Sequence, residues 1–410
     1  MVAASNLQKN QACVEEYSTV TRYREKCISF LSNLWGNPSE EPLGSATSGS
    51  SEAIMLAGLA MKRSWQERNG CFDRRLNVII GSNAHACVFK FAAYFEVEPR
   101  IVPVTEKSNY VFDVDYLEET LDCQTIGVFL TLGSTFTGHY DPVAVVAGHL
   151  DDHEARTGNN IPIHVDAASG GFVAPFAPGR EHIVWDFRIR RVLSINASGH
   201  KFGMSSCAVG WLIWRDRACL PSSLLVESSY LRGAQTAFSL SFSRSAAPVV
   251  VQYFKFLSLG MDGYVEKITS LLLTAGSFGR QLERTGYFTC VGPVLQSAET
   301  GKYSDSYWCN SSKCQSCSTG DKGCGLPGLP VVVFTFSAAF RHRHPYVTLT
   351  DVGDRMFERG FSIPHYLLQG SGDNGSDIEV LRIVIREDTR REVDTAYAHL
   401  METVKDLTGT

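Results

Sequence analysis

The sequence predicts an α/β protein with a large domain built on a mainly parallel sheet and a smaller α+β domain at its carboxyl end. Three observations carry that expectation. Between residue 46 and about 215, short β-branched runs alternate with helical stretches. Beyond about residue 286 the rhythm changes to fewer strands and shorter helices. Hydrophobic residues make up 44% of the chain and charged ones 20%, the balance of a protein with a substantial core, and 410 residues exceed the usual single domain.

The elements follow in order. Tyr17, Val20, Tyr23, Cys27, Phe30, Leu31 and Leu34 recur at helical spacing, so residues 17–35 are expected to form an amphipathic helix within an amino-terminal segment, 1–45. The large domain, 46–286, should hold strands at "LNVIIG" from 76, "RIVPV" from 100, "IGVFLTL" from 126, "IPIHVDAA" from 161, "RVLSINAS" from 191 and "AVGWLIW" from 208, closing with a long helical region from 245 to about 286. The small domain, 287–410, should hold "LPVVVFTFS" from 329, a helix near 347–359, "VLRIVIR" from 380 and a last helix from 389. Near 296–328 a polar stretch without periodicity carries Cys309, Cys314, Cys317 and Cys324 and reads as an inserted surface loop. One C-x-x-C pair falls short of the paired spacing of a zinc site, so no metal is expected.

Composition removes several function classes. The 38 basic and 43 acidic side chains leave a net charge of -5 with no basic block, which argues against nucleic acid. No apolar run approaches the roughly 18 residues of a membrane span. The start, "MVAASNLQKNQACVEEYSTV", lacks the pattern of a secretory signal, so the twelve cysteines read as reduced thiols and a cytoplasmic location is expected. The sequons at Asn196, Asn310 and Asn374 are then idle.

Four stretches carry chemistry. "ASGHKFG" places His200 and Lys201 between glycines. "TSGSSEAIM" sets Ser50 and Ser51 at the start of a helix, where backbone N–H groups and hydroxyls converge on an anion. "HVDAASGGF" ends a strand on Asp166, followed by small residues, Ala168 among them, that admit a flat ring. "NAHACVFKF" puts His85 between a strand and a helix. Singly, each has a plain structural reading: a surface lysine, a helix cap, a turn cap, a buried histidine. Together they meet the needs of pyridoxal phosphate, namely a lysine for the aldehyde, a carboxylate for the pyridine nitrogen, an anion cradle and a flat stacker.

These stretches, with "FKFAAYFEVEPRIVPV", "TIGVFLTLGSTFTGHYDPV", "IVWDFRIRRVLSINASGHKFG", "SFSRSAAPVVVQYFKFLSLGMDGY" and "VLRIVIRED", resemble the pyridoxal-phosphate-dependent decarboxylases of the group that contains the glutamate and aromatic amino acid decarboxylases, most closely the glutamate type. The resemblance spans nearly the whole chain. It implies the fold-type I architecture, with a mainly parallel seven-stranded sheet in the large domain, and α-decarboxylation of a small amino acid. L-glutamate is the first expectation; another amino acid, or a catalytically impaired paralogue serving as a partner subunit, are the alternatives. By the same resemblance Lys201 carries the cofactor, Asp166 pairs with its ring nitrogen, Ser50, Ser51 and His200 hold its phosphate, Thr135 lies beside it and His85 stacks on it. Ser243 matches a serine reaching the phosphate of the neighbouring subunit, which implies a homodimer or larger homo-oligomer. Arg382 matches a substrate-carboxylate arginine, and Tyr230 a candidate proton donor on a mobile loop. The chain departs from the pattern in a shorter amino-terminal segment, in Cys13 where bacterial relatives have an acidic residue before "EEY", in "YLRG", and in a carboxyl end, "VKDLTGT", without a calmodulin-binding tail.

Overall fold

The apolar stripe of the first helix decides where the chain begins to pack: α1 (Ser18–Leu34) buries Val20, Cys27, Ile28 and Leu31. The computed structural model of the protein describes residues 2–228, 235–293, 328–370 and 376–409. After α1 come β1 (Leu43–Thr47), α2 (Ser50–Asn69), β2 (Leu76–Gly81), α3 (Ala86–Tyr94), β3 (Val97–Val102), α4 (Leu117–Thr120), β4 (Thr125–Thr131), α5 (Val143–Thr157), β5 (Ile163–Asp166), β6 (Val192–Ser198) and β7 (Gly210–Trp214).

These seven strands form one sheet in the order β1-β7-β6-β5-β4-β2-β3. Only β7 runs against the rest: it is antiparallel to β1 and β6, and every other pairing is parallel. The long apolar runs are explained by burial on both faces; every residue of β2, β4, β5 and β7 is buried. "RIVPV" starts earlier than expected, at Val97, because β3 is an edge strand and tolerates Pro99 there. β1, "LGSAT", has no apolar run and becomes a strand by pairing with β7; the division expected at residue 45 falls inside it.

Past β7, β8 (Val226–Ser228) and β9 (Gln235–Ala237) pair antiparallel, and α6 (Ala247–Arg284) crosses the molecule. α6 is interrupted at Gly260, whose φ of 59° is open to glycine without strain. The carboxyl-terminal part comprises β10 (Phe288–Cys290), β11 (Val331–Phe336), α7 (Ala338–Arg343), α8 (Leu349–Glu358), β12 (His365–Leu368), β13 (Ile378–Val384) and α9 (Val393–Thr408). Its strands make an antiparallel sheet in the order β10-β11-β13-β12. A reciprocal cap between Thr348 and Asp351 starts α8. The last helix begins after a 3-10 turn at Arg390–Glu392, a little later than expected.

One core joins the two sheets, running from Leu132 and Phe172 through Phe278 and Leu282 of α6 to Val333, Phe334 and Leu400. Among the described residues no helix is long and apolar enough to cross a membrane. Tyr230, Asn310, Asn374 and the cluster Cys309, Cys314, Cys317 and Cys324 lie outside the described residues. Asn196 is fully buried in β6, out of reach of any modifying enzyme.

Candidate active site

The carboxyl ends of parallel strands are where open α/β sheets bind ligands, and the expected residues converge there. β5 ends on Asp166, β6 on Ser198, and the turn after β6 carries His200 and Lys201. Close approach explains the glycines of that turn. A Cβ on Gly199 would lie 2.4 Å from Gln252 Oε1, and one on Gly203 would lie 2.7 Å from the Gly199 carbonyl. Gln252 and Tyr264 of α6 both donate to the Gly203 carbonyl, at 3.0 Å each, and hold the turn down.

The Lys201 ammonium donates to Ser169 Oγ at 3.2 Å and makes no ion pair among the described residues. Burial holds its pKa below the ordinary value, opposed by the Asp166 and Cys87 charges and aided by repulsion from Arg382. His200 is also pushed down, by burial first and then by Lys201. Lys201, His200, His85, Thr135, Ser169 and Arg382 line one cavity of about 610 Å³.

Ser50 opens the 20-residue helix α2, and its Oγ lies 2.7 Å from Ser198 Oγ. That contact brings the helix start to the end of β6, two residues before His200. Ser51 follows in the first turn. His85 is the N-cap of α3: its Nδ1 accepts from the Cys87 amide at 3.3 Å and faces Cys87 Sγ at 3.0 Å. Burial lowers the His85 pKa, against the pull of Asp166.

Both donors to Asp166 reach the same oxygen. The Ala168 amide donates to Oδ1 at 3.1 Å and Asn196 Nδ2 at 3.0 Å, which leaves Oδ2 for a further donor. Asn196 is committed on its other side, its Oδ1 lying 2.7 Å from His164 Nε2, and His164 Nδ1 lies 2.7 Å from Ser194 Oγ. Because Asn196 donates to the carboxylate, its oxygen must accept, so Nε2 of His164 carries the hydrogen and Nδ1 accepts from Ser194.

The carboxyl-terminal part grips the loop after β4. Arg382 of β13 donates through Nη1 to the Thr135 carbonyl, and Tyr366 of β12 donates to the Phe136 carbonyl. Arg382 Nε is buried without a partner among the described residues. Ser243 stands apart, exposed at the surface, where it accepts from Asn10 Nδ2 at 3.1 Å.

Sequence reasoning missed Ser169, Ser198, His164, Asn196, Cys87 and Asp141. The signal for three of them was present: His164, Asn196 and Ser198 are polar residues at alternate positions of two strands otherwise apolar, as is Ser194, and so share a sheet face with Asp166. Asp141 gave none. It is fully buried and accepts from the amides of Thr131, at 2.7 Å, and Phe112, at 3.0 Å, and from Asn83 Nδ2, at 3.2 Å, so it ties the base of the Thr135 loop to the segment before His85. Burial raises it to about 6, against those three donors.

Residues 2–296 match the pyridoxal-dependent decarboxylase conserved domain. The chain belongs to this family. A glutamate decarboxylase of Saccharomyces cerevisiae is 38% identical over 95% of this chain and 68% of its own length. One from Aliivibrio fischeri is 34% identical over 97% of this chain and 78% of its own. The solved glutamate decarboxylase of Lactobacillus brevis superposes with a TM-score of 0.85 at 31% identity, covering 100% of this chain and 85% of that one. The cofactor of this decarboxylase is therefore pyridoxal phosphate, and the residues present fit it. Hydroxyls and a helix start suit a phosphate, Asp166 Oδ2 is left for a ring N–H, and a half-buried amine with no ion pair among the described residues lines the cavity.

The relay behind Asp166 predicts a pH dependence of stability. Burial pulls His164 down to about 4, whereas in the unfolded chain it titrates near about 6.5. The unfolded state then binds the extra proton first. His164 contributes stability that is present above about pH 6.5 and lost as pH falls through about 4. Against a His164→Gln variant, urea melts across that window should show the wild type losing stability more steeply. Parallel slopes would mean that His164 is charged in the native state.

Proposed function

We propose that this protein removes the α-carboxylate of L-glutamate as CO2 and releases 4-aminobutanoate, using pyridoxal phosphate. The observation that carries the reading is the convergence of Lys201, His85, His200, Thr135 and Arg382 on one cavity, in a chain similar throughout to glutamate decarboxylases. When bound, pyridoxal phosphate supplies a sink for the electron pair left on Cα as CO2 departs.

The chain's own residues hold and orient. Lys201 takes the cofactor's aldehyde carbon; its lowered pKa favours the neutral, nucleophilic amine. Ser50, Ser51, Ser198 and His200 hold the phosphate, Asp166 Oδ2 keeps a proton on the ring nitrogen, with Ala168 and Asn196 fixing that carboxylate, and His85 covers the ring. Arg382, steered by its bond to the Thr135 carbonyl, orients a substrate carboxylate. Tyr230 is assigned proton delivery to Cα. Phe202, Phe278 and Phe361 line the same cavity and keep water from the reacting carbon. The deciding experiment is a screen of purified protein with added pyridoxal phosphate against the common amino acids, reading amine and CO2. Turnover of an aromatic amino acid or cysteine sulfinate in preference to glutamate would replace the substrate and keep the chemistry. No CO2 from any amino acid would leave a cofactor-binding partner subunit.

Ser243 points to a homodimer or larger homo-oligomer as the working form, since it is exposed on its own chain and outside the cavity that Lys201 lines, and the free cysteines support a cytoplasmic location. Dilution is then expected to weaken cofactor retention, and Ser243→Ala to raise the cofactor dissociation constant by about tenfold, the worth of one hydrogen bond to a charged group. Sedimentation of the holoenzyme checks this; a loaded, active monomer rules it out.

A further inference from the structure

A second cavity, of about 440 Å³, lies between α1, β1 and the segment before α6, and it holds two arginines, Arg24 and Arg244. Nothing in the cofactor site uses either. Arg24, on α1, makes no hydrogen bond or ion pair with any described residue; its neighbour on the helix, Glu25, is exposed and attracts it only at a distance. Arg244 donates through Nη1 to the Ala46 carbonyl, and its nearest carboxylate, Glu52, is 3.9 Å away. Glu52 is already committed, accepting from the amides of Ser48, Leu240 and Ser241 at 2.6, 2.9 and 3.3 Å. Burial makes both charges costly, and Arg244 adds a smaller repulsion on Arg24.

Two further polar atoms of the same cavity have no partner. Arg244 Nε is a buried donor without an acceptor among the described residues, and Gln11 Oε1 a buried acceptor without a donor. Gln11 is not free to turn away, because its Nε2 donates to the Ser245 carbonyl at 2.7 Å. The cavity thus offers two cations with spare donors, one acceptor, and hydroxyls from Thr21, Ser29 and Ser241 at its walls; the exposed Glu25 lines it too and is the one carboxylate among its described lining residues.

We infer that this cavity is a binding site for a small oxyanion, a phosphate or a carboxylate, held between Arg24 and Arg244 and separate from the cofactor site. An anion there satisfies Arg244 Nε, gives Arg24 its missing partner and cancels the repulsion between them. A protonated oxygen on the same ion, such as the hydroxyl of hydrogen phosphate, supplies the donor that Gln11 Oε1 lacks. The planar forks of the arginines suit tetrahedral or planar oxyanions better than a spherical halide.

The test uses the cofactor-loaded protein, so that the phosphate cradle at Ser50 and His200 is occupied. Melting temperature and calorimetric binding are followed against inorganic phosphate, glutarate and, at matched ionic strength, chloride. The wild type should show a saturable stabilisation by phosphate, glutarate or both that chloride does not give; which of the two binds more tightly identifies the source. Arg24→Gln should weaken that binding by about 10-fold or more, the loss of one charge-assisted contact. It should also melt higher than the wild type in oxyanion-free buffer, because the cost of burying the Arg24 charge, with the smaller repulsion from Arg244, is gone. Arg24→Lys, which keeps the charge and loses the fork, should bind with an intermediate affinity, and keeps the test open if the glutamine variant folds poorly. Binding unchanged in both variants places the ion elsewhere and overturns the inference. So does stabilisation no greater than that of chloride.

Discussion

Lys201→Ala should abolish turnover and remove the visible absorbance of the bound cofactor, while its apoprotein melts at or above the temperature of the wild-type apoprotein. The first half rests on the amine being the group in the cavity that can take an aldehyde carbon. The loss is expected to span several orders of magnitude, since no other lysine among the described residues lines that cavity. The second half rests on what Lys201 does for the fold, which is little. Among the described residues its side chain makes one hydrogen bond, to Ser169 Oγ, and no ion pair, and burial disfavours its charge. The turn is held by Gln252 and Tyr264 on the Gly203 carbonyl, and neither contact involves the lysine side chain. Activity, absorbance and thermal melting on the same preparation separate the two roles. A variant that still turns over substrate would strip Lys201 of its assignment; one that unfolds would show that the amine is structural.

The strands that position this chemistry were legible because each is buried on both faces and so reads as an unbroken apolar run. β1 was not legible, since "LGSAT" has neither a run nor a clean alternation and acquires its strand geometry from β7. β12, "HYLL", is hidden for the same reason: it is an edge strand whose pairing with β13 lies in no local signal. What the local sequence does not contain is the partner, and for edge strands the partner supplies the structure.

The site divides along the same line. Lys201, Asp166, His85 and the serines of α2 sit at element ends, where strand runs stop and helices start, and a linear reading finds such borders readily. The residues behind them needed the register. Asn196 meets Asp166 because β5 and β6 pair Asp166 with Asn196, and His164 with Ser194. Asp141 needed more, as it gathers donors from three separate segments, at Asn83, Phe112 and Thr131. Ser243 shows the opposite case: its motif is plain in "FSRS", yet within one chain the structure leaves it on the surface, bonded to Asn10.

Asp166→Asn tests whether the carboxylate acts through its charge or only through its shape. The amide oxygen can replace Oδ1 and still accept from the Ala168 amide and Asn196 Nδ2, so the loop and the relay to His164 are kept. The amide nitrogen then replaces Oδ2. It offers a donor where a ring N–H needs an acceptor, and it removes the negative charge that holds the proton on that nitrogen. An opposite charge at this range shifts a pKa by roughly 1 to 3 units, and each unit is about 1.4 kcal/mol. The turnover number is therefore expected to fall by about 10-fold to 1,000-fold with the cofactor still bound. Asn196→Ala should fall between this variant and the wild type, because it leaves Oδ1 with the Ala168 amide alone and His164 Nε2 without its acceptor. Its loss should appear in the turnover number with the Michaelis constant little changed, and Asn196→Gln should not rescue it, being a methylene too long for the space between the strands. A near-normal rate in Asp166→Asn would show that another group protonates the ring, and equal losses in the two variants would mean that the orientation of Asp166, and not its charge, sets the rate.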